Sequence, residues 1–300
     1  MAFGHIQRLL QPAMLKTKQK IKLARLVQIV VLGARKLAGR NARTQVTRKH
    51  IAWELDLNEG IDFSIWLLGS FEPETVRCYQ QIVRPGDAVL DIGANIGAHT
   101  PHLARCVGPQ GRILAFEPTD YAFAKLTRNV ALNPELAGRI QCLQLLLGDA
   151  DAPAGPTASL YSSWPLKDEA GTHHLHQGKL MTTTGARALT LDTALATSGL
   201  NRLDCIKLDI DGAECAMLRG ARATLTRWHP LIVMELAPYV LDEKGASLRE
   251  LVQLLQGYGY SLADAASGQA LVMDAAVLQA AIPPGASLNV VARPHSRPAN

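Results

Sequence analysis

The segment Val89-Leu90-Asp91-Ile92-Gly93-Ala94-Asn95-Ile96-Gly97-Ala98 constrains the fold of this 300-residue chain more than any other. A short apolar run ends in an aspartate, two glycines follow four positions apart, and residues 98–107 read as a helix. Strand, tight glycine turn and helix N-terminus, in that order, let backbone N–H groups meet an anionic or strongly polar ligand group. Twenty residues after Gly97, the apolar run Ile113-Leu114-Ala115-Phe116 ends in Glu117. A carboxylate at that distance accepts the hydroxyls of a ribose. Together these features point to a nucleoside cofactor. A lone G-x-x-x-G would be compatible with a merely structural turn; Asp91, Asn95 and a correctly spaced Glu117 make the stronger case.

The nucleoside is not expected to be a dinucleotide. The dinucleotide fingerprint G-x-G-x-x-G uses its second glycine to admit a pyrophosphate, whereas Ala94 and Asn95 add bulk at this turn. Asp91 and Asn95 suit the charged ends of an amino acid better than two phosphates. The pattern D-x-G-A-N-x-G is similar to the glycine turn of S-adenosylmethionine-dependent methyltransferases. That likeness implies a methionine-end cradle from Asp91, Gly93, Asn95, Gly97 and Thr100. Glu117 would then hold the ribose, and Gly148-Asp149, after a strand at 141–147, would border the adenine.

Apolar runs near 88–92, 112–116, 140–146, 203–208 and 230–235 alternate with helical patterns near 98–107, 119–132, 213–227 and 246–257. Such alternation predicts a mostly parallel sheet with helices on both faces. Upstream, residues 50–57 and 61–68 read as two short strands around Asn58-Glu59-Gly60, and Pro73 to Val83 as a helix. The Gly-, Pro-, Ser- and Thr-rich stretch 150–188 breaks the rhythm, and long polar segments inside compact domains usually carry function. It is expected to shape the acceptor pocket. His173, His174 and His176 within it are compatible with a metal site, or with three solvent-facing histidines.

Charge is unevenly spread. Residues 1–50 hold twelve Lys/Arg and no Asp or Glu, while the other 250 carry 19 basic and 26 acidic side chains. Residues 7–39 are mostly helix-forming and too short in apolar run to span a bilayer, which takes about 20 apolar residues; no convincing signal-peptide cleavage site follows. A basic arm on an acidic body is compatible with a helix packed on the body or a subunit neighbour, with an anionic membrane surface, or with nucleic acid. An aromatic content of 5% offers no stacking surface for single strands. Five cysteines without a C-x-x-C pair fit core thiols in a reducing cytoplasm, with the chain at most peripheral to a membrane.

A second constellation is Leu203-Asp204-Cys205-Ile206-Lys207-Leu208-Asp209-Ile210-Asp211-Gly212-Ala213-Glu214, a strand running into charged residues. Ligands of open parallel sheets bind outside the carboxyl ends of the strands. Asp209 is therefore expected at the cofactor's reactive end, beside Asp211, Glu214 and Glu235. Such carboxylates raise one another's pKa values unless a cation intervenes: Lys207, or a Mg²⁺-like ion on Asp209 and Glu235.

Here the chain resembles a family. D-I-G-A-N-I-G, F-E-P, Thr190-Leu191-Asp192, I-K-L-D-I-D-G-A-E with Leu218-Arg219-Gly220-Ala221, Pro230 to Glu235, and a closing L-N-V-V-A-R-P look like FkbM-family methyltransferases. Gly69-Ser70-Phe71-Glu72 resembles the upstream G-x-F/Y-E. The likeness covers roughly residues 65–294; one departure is Asp211, where the family usually carries Glu. It implies a Rossmann-like class I methyltransferase domain: a seven-stranded, mostly parallel sheet closed by an antiparallel C-terminal strand pair. It also implies S-adenosylmethionine-dependent O-methylation, often of sugar or natural-product hydroxyls. Expected boundaries are a basic arm at 1–50, a hairpin and helix at 51–84, the methyltransferase domain at 85–294 and a tail at 295–300.

Methyl transfer to oxygen is an in-line displacement that relies on alignment and on loss of the hydroxyl proton. Asp209 is the first candidate for this chemistry, with Asp211, Glu214 and Glu235 supporting it, Lys207 steadying the carboxylates and His99 an alternative base. Glu72 is expected over the methionine end; a helix-starting acid beside the dipole is the plainer reading. RNA methylation through the basic arm, and a non-catalytic nucleotide-binding or membrane-surface role, are the competing functions.

Overall fold

The computed structural model describes residues 17–152, 159–166, 171–173 and 178–295. In chain order the elements are α1 (Thr17–Leu37), β1 (Arg43–Arg48), β2 (Ile51–Asp56), α2 (Gly60–Leu68), α3 (Pro73–Ile82), β3 (Ala88–Ile92), α4 (Thr100–Val107), β4 (Arg112–Phe116), α5 (Asp120–Ala131), α6 (Pro134–Ala137), β5 (Ile140–Leu143), β6 (Leu145–Gly148), β7 (Ser159–Ser163), β8 (Lys179–Thr182), β9 (Arg187–Thr190), α7 (Leu191–Ala196), β10 (Cys205–Leu208), α8 (Glu214–Arg219), α9 (Arg222–Trp228), β11 (Leu231–Leu236), α10 (Pro238–Glu243), α11 (Leu248–Gly257), β12 (Tyr260–Asp264), β13 (Ala270–Leu271), α12 (Ala275–Ala281) and β14 (Leu288–Pro294).

One sheet organises the molecule, in the order β13-β12-β14-β11-β10-β3-β4-β5. From β11 to β5 every pairing is parallel, and β14 is antiparallel to both β11 and β12. The chain leaves β3 toward β4 and β5, then crosses back to β10 and β11. The strand order therefore reverses between β3 and β10, and the crevice at their carboxyl ends is where such sheets bind ligands. The sequence predicts seven strands; the eighth, β13, is a two-residue edge strand on β12.

β3 is buried at all five positions because both its faces are covered. Leu90, Ile92, Leu114, Phe116, Ile206 and Leu208 face the cluster that contains α8, α9 and α11. Val89, Ile113, Cys205 and Val233 face Tyr79 of α3 and Leu103 of α4. Two-residue alternation along each strand sends consecutive side chains to opposite layers.

Three expectations are corrected. The hairpin is β1–β2, Arg43↔Asp56 to Arg48↔Ile51, with its turn at Lys49-His50. Both turn residues have positive φ, 47° and 60°, the two-residue hairpin geometry usually taken by Asn-Gly. Residues 61–68, expected as a strand, lie in α2. The run Ile61-x-Phe63-x-Ile65 imitates strand alternation, but Asp62 between them is buried, bonded from the Asp56 N–H (2.7 Å) and paired with Lys125 (2.6 Å). The helix expected over 213–227 is broken into α8 and α9, because Gly220 lies against Gly148, where a Cβ would come within 2.0 Å of the carbonyl oxygen.

β2 is fixed to the end of α5 and the loop after it by side chains that act as a strand edge. Asn133 Oδ1 accepts from the Ala52 N–H and Nδ2 donates to the Ala52 carbonyl, both at 2.8 Å, while Asn129 Oδ1 accepts from the Glu54 N–H at 2.8 Å. Part of the helix expected over 7–39 lies outside the described residues. Of the 150–188 segment, all but residues 153–158, 167–170 and 174–177 are described, including β7, β8 and the start of β9. Among the described residues no helix is long and apolar enough to cross a membrane.

Candidate active site

β3 delivers Asp91 and the glycine turn to the switch point. Gly93 has φ +78°, and a Cβ there would sit 1.8 Å from the Asp209 carbonyl oxygen, so two strand ends meet where only glycine fits. Gly97 has φ +84° with Leu126 packed close by, and Asn95 itself adopts φ +50°. Asp91 is fully buried; Thr100 Oγ1 donates to its Oδ2 at 2.6 Å, and its Oδ1 lies 3.5 Å from Lys207 Nζ.

Lys207 is the buried cation of the site. Its Nζ donates to the Gly93 carbonyl (2.7 Å) and, longer, to that of Ile92 (3.4 Å), and lies 3.7 Å from Asp209 Oδ2. Burial acts to lower its pKa, but Asp91, Asp209 and Glu72 outweigh it and the net shift is upward. The ammonium therefore stays charged and ties the glycine turn to β10.

Glu117 ends β4 as expected and is buried. Its Oε1 accepts from the Thr119 N–H (2.9 Å) and hydroxyl (2.5 Å), and its Oε2 from the Asn95 N–H (3.0 Å). Burial raises its pKa despite these donors. A carboxylate has about four acceptor sites, and the hydroxyl of Thr119 lies 2.8 Å from Ser162 Oγ. That hydroxyl can turn away and free a second site for a ligand. Ser162 belongs to β7, and its carbonyl also accepts from Asn95 Nδ2 at 3.2 Å. The hairpin β7–β8 thus straps the glycine turn to the end of β4.

A cavity opens at the carboxyl ends of β10 and β11, lined by Glu72, Tyr79, Lys207, Asp209, Glu235 and Asn289 among others. Glu72, at φ +42° before α3, accepts from Thr75 Oγ1 at 3.0 Å. Asn289 on β14 donates to the same Thr75 oxygen at 3.1 Å. Glu235 accepts from the Ser287 hydroxyl. Its pKa is pushed well up by burial and then by Asp209 and Glu72. His99 lies against the rings of Tyr79 and Phe71 at 5.5 and 5.9 Å. Burial, with Lys207 nearby, holds its pKa well down, so it is neutral and its 3.9 Å approach to Glu72 is not an ion pair. Neither His99 ring nitrogen, nor the Tyr79 hydroxyl, has a hydrogen-bond partner among the described residues. Such orphaned buried groups fit a site shaped for a polar ligand.

After Asp209 the chain turns through Asp211 at φ +49°, a left-handed position that Asp occupies more readily than Glu. Glu214 Oε1 caps the turn by accepting from the N–H groups of Ile210 (3.1 Å) and Gly212 (3.3 Å). Burial pushes Glu214 up to about 7. Burial, Asp209 and Glu214 push Asp211 well up as well.

Not every expected residue joins the site. Asp149 pairs with Arg219 of α8 at 3.2 Å, and Arg219 also bonds Glu250. Gln144 instead follows β5, donating to Asp120 Oδ1 at 2.7 Å near the end of β4. Among the described residues no group of three or more His, Cys, Asp or Glu side chains is disposed to hold a metal ion. Asp209 and Glu235 share a cavity wall in which Lys207 is already the compensating cation, so the Mg²⁺ expectation has no ligand set behind it. His173 lies 3.3 Å from Glu243 and against Tyr161; His174 and His176 lie outside the described residues. The sequence reading missed Thr75, Tyr79, Asn289, Thr119 and Ser162. Positions 72, 75, 76 and 79 follow helical spacing, which was the available signal for the first two.

Strand order, glycine turn, strand-end Glu117 and the acidic switch-point cavity define a class I S-adenosylmethionine-dependent methyltransferase. The model of the "Methyltransferase FkbM domain" matches residues 91–262, and the chain belongs to that family. It is 30% identical over 217 residues to the 31-O-demethyl-FK506 methyltransferase FkbM of Streptomyces tacrolimicus, covering 63% of this chain and 79% of the relative. Identity to the 2-O-methyltransferase NoeI of Sinorhizobium fredii is 24% over 198 residues, 61% of this chain and 79% of the relative. Identity to the hexuronic acid methyltransferase AglP of Haloferax volcanii is 24% over 164 residues, 54% and 61% respectively.

Proposed function

We propose that this methyltransferase acts on a hydroxyl of a glycan, glycolipid or natural-product small molecule. The observation that carries the reading is the acidic cavity beside the glycine turn, with Asp209 and Lys207 together in its lining. Support also comes from the relatives, two of which are named as O-methyltransferases or for an O-demethyl substrate and one for a hexuronic acid.

When bound, S-adenosylmethionine supplies an electrophilic methyl group on a sulfonium. The chain's residues suit that ligand. Glu117 accepts from ribose hydroxyls once Thr119 turns to Ser162. Asp91, Gly93, Asn95, Gly97 and Thr100 shape the methionine end. Glu72 and Asp209 present negative charge to a cationic ligand, whose own charge favours the ionised form of the raised Glu235 carboxyl. Asp209 accepts the acceptor's proton as the new bond forms, and Lys207, fixed on the Gly93 carbonyl, holds that carboxylate in place. Asp211 and Glu214 are positioning residues that set the turn. His99 and Tyr79 offer polar atoms to the buried end of the ligand. Asp149, paired with Arg219, and Gln144, bonded to Asp120 near the end of β4, are the polar side chains offered to the adenine edge.

The test is an acceptor screen with isotopically labelled methyl donor, comparing wild type with Asp209→Asn. Removing a general base lowers kcat by about a hundredfold to ten-thousandfold, with donor binding retained. Labelling of RNA or protein but no hydroxyl compound, or full kcat in Asp209→Asn, contradicts the reading.

A further inference from the structure

The outer face of α1 has no part in the methyltransferase site, and its chemistry is unusual for a solvent-facing helix. Leu26, Ile29, Val30 and Leu37 are 63%, 67%, 67% and 92% exposed. With Gly33 between them they follow the spacing i, i+3, i+4, i+7, i+11, which puts them on one stripe. The inner face is already spent. Ala24, Val27, Val31 and Leu32 pack on the cluster of Trp53, Phe63 and Ile96, and Gln28 Nε2 donates to the Leu57 carbonyl at 2.6 Å. The helix is thus docked on the body by one side and offers a second apolar side outward. Leu67 and Leu68 of α2, which packs beside α1, are exposed too.

Charge decides what covers this stripe. The sequence of α1 holds six Lys/Arg and no acid, and the first fifty residues hold twelve and none. Two copies meeting face to face through α1 would bring these positive segments together. A nucleic acid would satisfy the charge but leave the aliphatic stripe in water. A bilayer with anionic headgroups satisfies both, since the stripe enters the headgroup–acyl boundary while the basic side chains meet the phosphates. The acidic remainder of the chain, repelled by the same surface, sets the orientation.

We infer that α1 docks this protein on an anionic lipid surface through the stripe Leu26, Ile29, Val30 and Leu37. The cluster under α1 includes Ile96 and Ala98, which flank Gly97, so one apolar cluster connects the docked helix to the glycine turn. This is independent of which acceptor the enzyme takes.

The experiment is vesicle co-sedimentation of the full chain. The vesicles are phosphatidylcholine alone, or equal parts phosphatidylcholine and phosphatidylglycerol. Binding is expected only to the anionic vesicles and to weaken with added salt. Ile29→Asp with Val30→Asp lowers the partition coefficient by about tenfold or more, with Tm and donor binding unchanged because both positions face solvent. Lys36→Glu lowers it by roughly fivefold for each unit of charge altered. No binding of wild type to anionic vesicles overturns the inference, as does binding that the apolar substitutions leave intact. A wild-type dimer that those substitutions convert to monomer, without vesicle binding, assigns the face to self-association instead. Salt-sensitive RNA binding without vesicle binding assigns the arm to nucleic acid.

Discussion

At the scale of single residues, Gly93 and Glu214 carry opposite kinds of constraint. Gly93 is a steric one: positive φ and the Asp209 carbonyl together exclude a side chain. Gly93→Ala is expected to cost about 2–4 kcal/mol, from left-handed strain and from parting the two strand ends, read as a lower Tm together with lost donor affinity. Glu214 is an electrostatic one. Its carboxyl titrates near 7 in the fold against a reference of 4.5, so between these values the folded chain holds a proton that the unfolded chain has released. Stability therefore falls as pH rises from about 4.5 to about 7, by roughly 3 kcal/mol in all. Glu214→Gln keeps the oxygen that accepts from Ile210 and Gly212 but cannot ionise. Its Tm advantage over wild type should grow from pH 5 to pH 8 in paired melts. An advantage independent of pH would contradict the assignment.

Among the elements, the β7–β8 hairpin ties the glycine turn to the end of β4. Ser162 joins Asn95 to Thr119, Ser163 and the Trp164 N–H bond Glu59, and the far end is tied by Asp120, which accepts from Thr182 Oγ1, Thr184 N–H and Gly185 N–H. Asp120→Ala removes that tie. Hydrogen exchange should quicken over 159–163 and 179–185 while β3 and β4 keep their protection; equal exchange in both proteins would show that the hairpin is held elsewhere. The elements also explain what was legible in the sequence. β3, β4, β10 and β11 are apolar runs buried on two faces and ending in acids, so type, place and polarity were all readable. α2 was not, because Ile61, Phe63 and Ile65 imitate a strand and the partner of buried Asp62 is Lys125, far along the chain. The β1–β2 turn was hidden because Lys49 and His50 take a conformation that glycine usually marks. The split between α8 and α9 depends on the approach of Gly148, which no local pattern announces.

Over the whole molecule, the two segments that the sequence singled out, the glycine turn and the Lys207–Asp209 strand end, lie 115 residues apart for the Lys207–Ile92 contact and meet as adjacent parallel strands. The site was legible as a pair of motifs, since strand ends at a topological switch must converge. Its far wall was not, because Thr75, Tyr79 and Asn289 come from a preceding helix and the antiparallel strand β14. Convergence also has an electrostatic result. Burial and the neighbouring Asp209 and Glu72 push the Glu235 carboxyl upward, and a cation bound beside it favours the ionised form. Binding of the sulfonium donor should therefore release protons, and its demethylated product, lacking the sulfonium charge, should release fewer. Calorimetric titrations in buffers of different ionisation enthalpy read the difference; equal release for both ligands would remove Glu235 from the cation's surroundings.

The most direct measurement is the calorimetric affinity of the folded protein for S-adenosylmethionine, in wild type and in Glu117→Gln. Hydrogen bonds to a charged group contribute about 1.5–3 kcal/mol. Micromolar binding, weakened by about tenfold to a hundredfold in the variant with its Tm retained, is the expected result. Absence of binding by well-folded wild type, or equal affinity in Glu117→Gln, would contradict a donor site at the ends of β3 and β4.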